Sequence, residues 1–230
     1  MTTTSASQGY RTINPATGEL LKSFDNATDQ QIADALDASQ AAYEQWSQKS
    51  VAERAAVVKR ISELLAERSK DIAALITTEM GKSLGAAVGE VRYSAQIFGY
   101  YADEAEELLA DQPIKQFSGQ EAFVQRLPIG PLLGIMPWNF PVYQVARFVA
   151  PNLVLGNTIL LKHAEINPQT AALLEDLFRE AGLPEGVLQV LPGGGDIGAA
   201  CVEAEEVRVI SFTGSTPVGK QLMKTAADRV

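Results

Sequence analysis

The chain has 230 residues, and its 19 Lys and Arg against 28 Asp and Glu give a formal net charge of −9. That length allows one large domain or a domain and a half, and the acidic balance argues against nucleic acid as a partner, since such proteins concentrate Lys and Arg. No apolar run approaches the length of a membrane span, and a single cysteine (Cys201) with a single histidine (His163) excludes an internal disulfide, leaves no usual zinc ligand set, and fits a reducing, cytoplasmic compartment.

The Thr/Ser-rich first nine residues have the composition of a disordered tail. Residues 10–25 read as an extended opening segment with a turn at Asn14-Pro-Ala-Thr-Gly18. Thr28-x-x-Gln31 is a capping box that opens a helix to about residue 48, in which Ile32, Leu36 and Trp46 keep a helical spacing. Ser50-Val-Ala-Glu53 is a second one, with Val58, Ile61 and Leu65 forming the buried stripe behind it. Helical character continues through Ile72 and Ile76 to Met80, where Gly81 breaks it. A long helix is expected from about 84 to 110, with Val88, Val91, Ala95, Phe98 and Tyr101 on its apolar side. Its acidic end, Asp103 to Glu107, has the spacing of a solvated face rather than of paired catalytic carboxylates. Residues 112–119 read as a connector and 121–127 as a strand.

From Pro131 the pattern becomes strict alternation of apolar strands and helices. Strands are expected at 131–136, 158–162, 187–191 and 207–212. Helices are expected at 142–155, 168–181, 197–204 and 217–227. Continuous apolar strands alternating with helices predict a Rossmann-like parallel sheet with helices on both faces, preceded by an α-helical layer. Ligands would then meet the loops after residues 136, 162, 192 and 212. Asn167-Pro168 reads as an N-cap with proline at the first helical position.

The first of those loops is Pro137-Trp138-Asn139-Phe140-Pro141. Two prolines fix φ on either side and remove two donors, so the segment is a stiff loop and not a helix interior or central strand. Asn139 can offer two N–H donors to a developing oxyanion without titrating. It can equally serve as the N-cap of the following helix.

Two glycine motifs invite comparison with nucleotide sites. Gly193-Gly-Gly195-Asp-Ile-Gly198 has the G-x-G-x-x-G form between strand and helix, but the acid the dinucleotide fingerprint wants at the end of the next strand is replaced by Phe212 and Thr213. Gly214-Ser-Thr-Pro-Val-Gly219-Lys220 resembles a P-loop, yet Gln221 stands where a Mg²⁺-binding Ser or Thr belongs, and Pro217 removes a cradling amide. A P-loop nucleotide binder is the weaker alternative. What survives is a glycine turn with Ser215 beside a helix N-terminus, which favours an anion such as a dinucleotide pyrophosphate.

With Pro137-Trp-Asn-Phe-Pro141, Leu161-Lys162-His163-Ala-Glu165 and Phe212-Thr-Gly-Ser-Thr216-x-x-Gly219 in this order, the chain resembles the aldehyde dehydrogenase superfamily. The segments Ile13 to Glu19 and Glu79-Met-Gly-Lys82 are similar to that family as well, so the resemblance covers essentially all 230 residues. It implies an incomplete aldehyde dehydrogenase fold. Residues 1–120 would be the helical part of the cofactor domain, 121–130 the first strand of an oligomerisation arm and 131–230 a truncated NAD(P)-binding domain. Asn139 would be the oxyanion-hole amide that stabilises a thiohemiacetal. Ile135, Pro137 and Trp138 would line the cofactor cleft, Lys162 would meet ribose hydroxyls, Gly214 and Ser215 the pyrophosphate, and the turn bearing Gly195 and Gly198 would lie by the adenine.

The same resemblance implies a preference for NAD over NADP, because a carboxylate at Glu165 accepts bonds from ribose hydroxyls and repels a 2′-phosphate. Phe140 would contact the substrate. Arg147 stands in an otherwise apolar helical segment, where a guanidinium is costly without a partner, and its fork suits a carboxylate. It is either a salt-bridge partner within the protein or, as in family members acting on succinate semialdehyde, the ligand of a substrate carboxylate. Family enzymes also need a cysteine nucleophile and a glutamate base, which by this resemblance lie beyond Val230; Cys201 has the setting of a buried helix residue. The expectations are therefore a small carboxylated aldehyde as substrate, a homodimer or homotetramer for the whole enzyme, and no activity for this stretch alone. The contrasting reading is a non-catalytic dinucleotide-binding or subunit-interaction module.

Overall fold

The computed structural model describes residues 10–115 and 119–227, so the tail expected to be disordered and part of the 112–119 connector lie outside the described residues. The extended opening segment is an antiparallel pair, β1 (Tyr10–Ile13) and β2 (Leu20–Phe24). The predicted turn joins them, with the Gly18 amide donating to the Asn14 carbonyl at 2.8 Å.

Both capping boxes form as expected, because each closes within one turn of chain. They open α1 (Asp29–Trp46) and α2 (Val51–Glu67). Next comes α3 (Ser69–Met80), which ends on Gly81 in the left-handed region at φ 77°, a conformation that glycine adopts without a Cβ penalty. The single helix expected over 84–110 is two, α4 (Leu84–Asp103) and α5 (Ala105–Leu109). Glu104 leaves helical geometry at φ −97°, ψ 5°, and the break lets Ala105 bury while the acids around it stay in solvent. The strand expected at 121–127 shrinks to β4 (Phe123–Val124), which among the described residues pairs with β3 (Gln112–Pro113) and with no second strand.

The alternating half runs β5 (Pro131–Ile135), α6 (Tyr143–Leu155), β6 (Thr158–Lys162), α7 (Pro168–Glu180), β7 (Leu188–Val190), α8 (Gly195–Glu203), β8 (Val209–Phe212) and α9 (Thr216–Ala227). Its four strands form one parallel sheet in the order β7-β6-β5-β8. From β5 the chain winds outward through β6 and β7, then returns to lay β8 on the other side of β5. That reversal is the topological switch point at which open α/β sheets leave a ligand crevice beyond the C-terminal strand ends.

Alternate residues of the central strands feed two cores. Leu132, Ile159 and Leu161 pack with α6 and α7, over which α2, α3 and α4 form a further layer. Leu133 and Leu160 pack with α1 and α8. The preceding helical portion divides between the two faces: α1 lies directly on the sheet, and Trp46 at its end is buried with its indole donating to the Leu153 carbonyl at 3.1 Å. On the other face a Cβ on Gly134 would fall 2.6 Å from the Phe148 ring, so only glycine lets α6 approach β5 this closely.

Candidate active site

The loops after β5, β6 and β8 leave the sheet side by side. Ile135 is in register with both Lys162 and Phe212, the Met136 amide donates to the Lys162 carbonyl, and the Thr213 amide donates to the Ile135 carbonyl, both at 3.1 Å. The loop after β5 is the proline-bounded one, in which every carbonyl from 138 to 141 is held. Trp138 accepts from Asn167 Nδ2 at 3.0 Å, Asn139 from Lys82 Nζ at 2.7 Å, and Phe140 from the Gln144 amide at 3.0 Å. Pro141 accepts from His163 Nε2 at 2.8 Å.

Because the His163 Nδ1 accepts from the Ala164 amide at 2.8 Å, the ring proton resides on Nε2. Complete burial, aided by the nearby Lys162 charge, pushes the imidazole down to about 4, so it is neutral at pH 7.

The side chains of this loop behave differently from its backbone. Trp138, Asn139 and Phe140 are exposed, and among the described residues the Asn139 amide group has no hydrogen-bond partner. The capping alternative for Asn139 does not hold. Val142 is the N-cap of α6, and Glu90 Oε1 accepts the Val142 and Tyr143 amides at 2.9 and 3.1 Å.

Asn167 likewise fails to cap α7 with its side chain. The Gln169 and Thr170 amides go instead to Glu79, each at 2.8 Å. In both places a carboxylate from the helical layer displaces the local candidate. It accepts several donors at once and its charge complements the helix N-terminus. No local motif marks Glu90 for this role; its only trace is a lone acid in the small, apolar first turns of α4.

On the α8 side, the expected cofactor residues converge. The Lys162 side chain is 7% exposed and its Nζ lies 3.5 Å from Glu165 Oε1. Burial lowers its pKa, while Glu165 and Asp196 act in the opposite sense. A Cβ on Gly198 would stand 3.7 Å from Ile135 and 3.9 Å from Lys162, and one on Gly194 3.6 Å from Glu165 Oε1. A cleft of about 650 Å³ opens here, lined by Tyr10, Asn26, Glu79, Glu165, Gly194 and Asp196 among others. Space beside Gly195 is open.

Gly214 and Ser215 follow β8, across β5 from Lys162, so Ile135 lies between the two groups. A Cβ on Gly214 would fall 2.5 Å from the Phe212 ring. Of the amides in the P-loop-like turn, Gly219 is engaged with the Ser215 carbonyl at 3.0 Å and Pro217 has none.

Arg147 stands apart, on α6 and the opposite face of the sheet. The expectation of a guanidinium in a costly apolar setting is overturned: Arg147 is exposed. It makes no ion pair among the described residues, so the salt-bridge alternative fails as well. Its guanidinium lies 5.9 Å over the Tyr143 ring, in a groove of about 330 Å³ shared with Tyr93, Gln96, Ile97, Tyr100 and Tyr101. Tyr143 stacks on Tyr93 at 5.7 Å and meets Phe140 edge-on at 5.9 Å. Cys201 is fully buried, and desolvation raises its thiol to about 11, which is the reverse of an activated nucleophile.

The sequence profile of the aldehyde dehydrogenase family matches residues 2–230. The chain belongs to the aldehyde dehydrogenase family. Among curated relatives, the NADP(+) succinate-semialdehyde dehydrogenase of Deinococcus radiodurans is 43% identical over 218 residues, which are 94% of this chain and 45% of the relative. The mitochondrial succinate-semialdehyde dehydrogenase of Arabidopsis thaliana is 39% identical over 94% of this chain and 41% of its own length. The crystal structure of succinic semialdehyde dehydrogenase from Streptococcus pyogenes with NADP+ superposes with a TM-score of 0.92 at 36% identity, covering 95% of this chain and 48% of that one. This aldehyde dehydrogenase chain therefore spans about half the length of the curated relatives it matches.

Proposed function

We propose that this chain is the cofactor-binding part of an NAD(P)-dependent aldehyde dehydrogenase that converts succinate semialdehyde to succinate. The observation that carries the reading is the pairing, across one loop, of two unsaturated groups. Lys162 is buried with only a loose partner at 3.5 Å, and the Asn139 amide is unpartnered on a backbone held at every carbonyl. Both stand at the switch point of a parallel sheet, where ligands bind.

The residues present suit a dinucleotide. Lys162 as donor and Glu165 as acceptor match the two vicinal hydroxyls of a ribose, the glycines at 195 and 198 leave room beside them, and Gly214 and Ser215 at the start of α9 suit a pyrophosphate. Ile135, Pro137 and Trp138 would flank it. The bound nicotinamide would serve as the two-electron acceptor for the aldehyde carbon. Asn139 would stabilise the oxyanion that develops when a thiolate from the other half of the enzyme adds to the carbonyl, and Arg147 would hold the distal carboxylate with Phe140 beside the chain of the substrate. Residues 121–130 would begin an oligomerisation arm.

We infer a preference for NAD, since Glu165 and Asp196 together would repel a 2′-phosphate. The NADP(+) in the names of several relatives, and the NADP+ in the Streptococcus pyogenes structure, set the opposite expectation, which makes the cofactor comparison informative. The test is steady-state kinetics of the full-length protein with succinate semialdehyde and butanal as paired substrates. Succinate semialdehyde should be strongly favoured, and Arg147→Ala should cost it about tenfold or more in kcat/KM, the loss expected for a charged hydrogen-bonded contact, while sparing butanal. Equal use of both aldehydes with no effect of Arg147→Ala contradicts the substrate, and absence of any aldehyde oxidation favours a binding module.

A further inference from the structure

The loop that bears Asn139 is gripped from outside its own sheet. Lys82, in the turn between α3 and α4, donates to the Asn139 carbonyl at 2.7 Å and stands 3.9 Å from the centre of the Phe140 ring. The same ammonium pairs with Glu90 Oε2, while Glu90 Oε1 takes the Val142 and Tyr143 amides. The two side chains are only 11% and 1% exposed. One charge pair thus holds a carbonyl and a ring on the loop side and two amides on the helix side, contacting residues 139, 140, 142 and 143.

We propose that Lys82 and Glu90 are positioning residues for the oxyanion donor, a role that rests on the reading of Asn139 given above. Fixing the Asn139 carbonyl fixes the plane of the 139–140 peptide and with it the direction in which the Asn139 side chain leaves the backbone. A donor stabilises a developing oxyanion only if it is already aimed at the place where charge appears. A well-packed apolar pair would hold α4 against α6 equally well, but it could not orient a carbonyl and two amides together. Loss of the Lys82 charge frees the carbonyl and leaves Glu90 without its cation, so the loop and the first turn of α6 lose their common anchor.

The experiment compares wild-type full-length enzyme with Lys82→Met and Glu90→Gln. Lys82→Met should lower kcat about 100-fold, as a misplacement of about 1 Å at a reacting centre does. KM for the aldehyde and Kd for NAD(P) should stay near the wild-type values, because a contact that matters only in the transition state leaves ground-state binding alone. Glu90→Gln keeps an acceptor for the two amides but weakens the hold on Lys82, so its kcat loss should be smaller and of the same kind.

Amide hydrogen exchange supplies a readout independent of turnover. The Val142 and Tyr143 amides, at the free end of a helix, should be protected in the wild type. An unchanged kcat in Lys82→Met overturns the proposal, as does a fall in kcat matched by an equal fall in cofactor affinity, which marks a merely structural role; a lower melting temperature alone is expected from stranding Glu90. If Lys82→Met does not fold, Glu90→Gln carries the same kinetic test. A wild-type protein that shows the amide protection but oxidises no aldehyde sinks the functional reading itself, and with it the positioning role; an active wild type indifferent to both substitutions sinks only the proposal.

Discussion

Two lysines lie on either side of the Pro137–Pro141 loop, and they are used in opposite ways. Lys82 faces a carboxylate, a carbonyl and an aromatic ring, all belonging to the protein. Lys162 is slightly more buried, yet the charge paired with it among the described residues is a glutamate 57% exposed and 3.5 Å away. A buried cation that the protein saturates organises structure, whereas one the protein desolvates and leaves poorly met is available to a ligand. The first sits on the α4 side with Phe140 and Tyr143, and the second opens on the α8 side towards the glycine turn.

The comparison is broken most forcefully at the saturated end. Glu90→Ala removes the acceptor of two helix amides and the partner of Lys82 together, and should destabilise the protein by about 3–5 kcal/mol, the usual cost of stranding one member of a buried pair. Denaturant unfolding monitored through Trp46 and Trp138 measures it, and a loss within the range of an ordinary surface substitution contradicts the saturated view of Lys82.

A somewhat smaller effect is expected of His163, which ties Pro141 from below. Its folded pKa of about 4 lies under the ordinary 6.5, so the unfolded chain binds the extra proton between those values. The stability it supports is complete above about pH 6.5 and is lost as pH falls towards 4, by about 3 kcal/mol in all. Glu175, whose carboxyl burial pushes up, acts in the opposite sense, so the clean measurement is stability against pH in wild type and His163→Gln. The slope above pH 5 should flatten in the variant.

At the unsaturated end the pH dependence keeps the sign it has for His163, but removing the charge costs no stability. Lys162 has its pKa lowered chiefly by burial, so the unfolded chain holds more protons from that lowered value up to 10.5 and stability should rise with pH through this window. Lys162→Met should erase the rise and leave the protein at least as stable at pH 7. The smallest effect belongs to Cys201, fully buried with its thiol raised to about 11: a thiol reagent at pH 8 should leave the native protein unmodified and label it only after unfolding.

What could be read from the sequence was whatever closes over a few residues. The caps at Thr28 and Ser50, the stop at Gly81, the four parallel strands and the stiffness of the proline-bounded loop all follow from neighbours in the chain. The supports of that loop do not. Glu90 meets amides 52 and 53 residues away, Glu79 meets amides 90 and 91 away, and nothing within one turn of either residue announces it. Asn139 stands three residues before the N-cap of α6, and Asn167, though it is the N-cap residue of α7 with Pro168 at the first helical position, leaves the α7 amides to a distant carboxylate. Arg147 looked costly because its neighbours in sequence are apolar, but α6 turns it to solvent while Ala146 and Phe148 face the core. Periodicity tells which residues a helix buries; it does not tell which acid crosses from another layer.

On the proposed function, Lys162 serves a dinucleotide and Lys82 serves the loop. Calorimetric titration of NAD and NADP into the full-length protein tests it directly, with Lys162→Met and Lys82→Met side by side. The account predicts one site for both cofactors with NAD bound more tightly, an affinity loss of about tenfold or more in Lys162→Met as for a charged hydrogen bond, and wild-type binding in Lys82→Met. Cofactor binding that ignores Lys162→Met, or that fails equally in both variants, contradicts it.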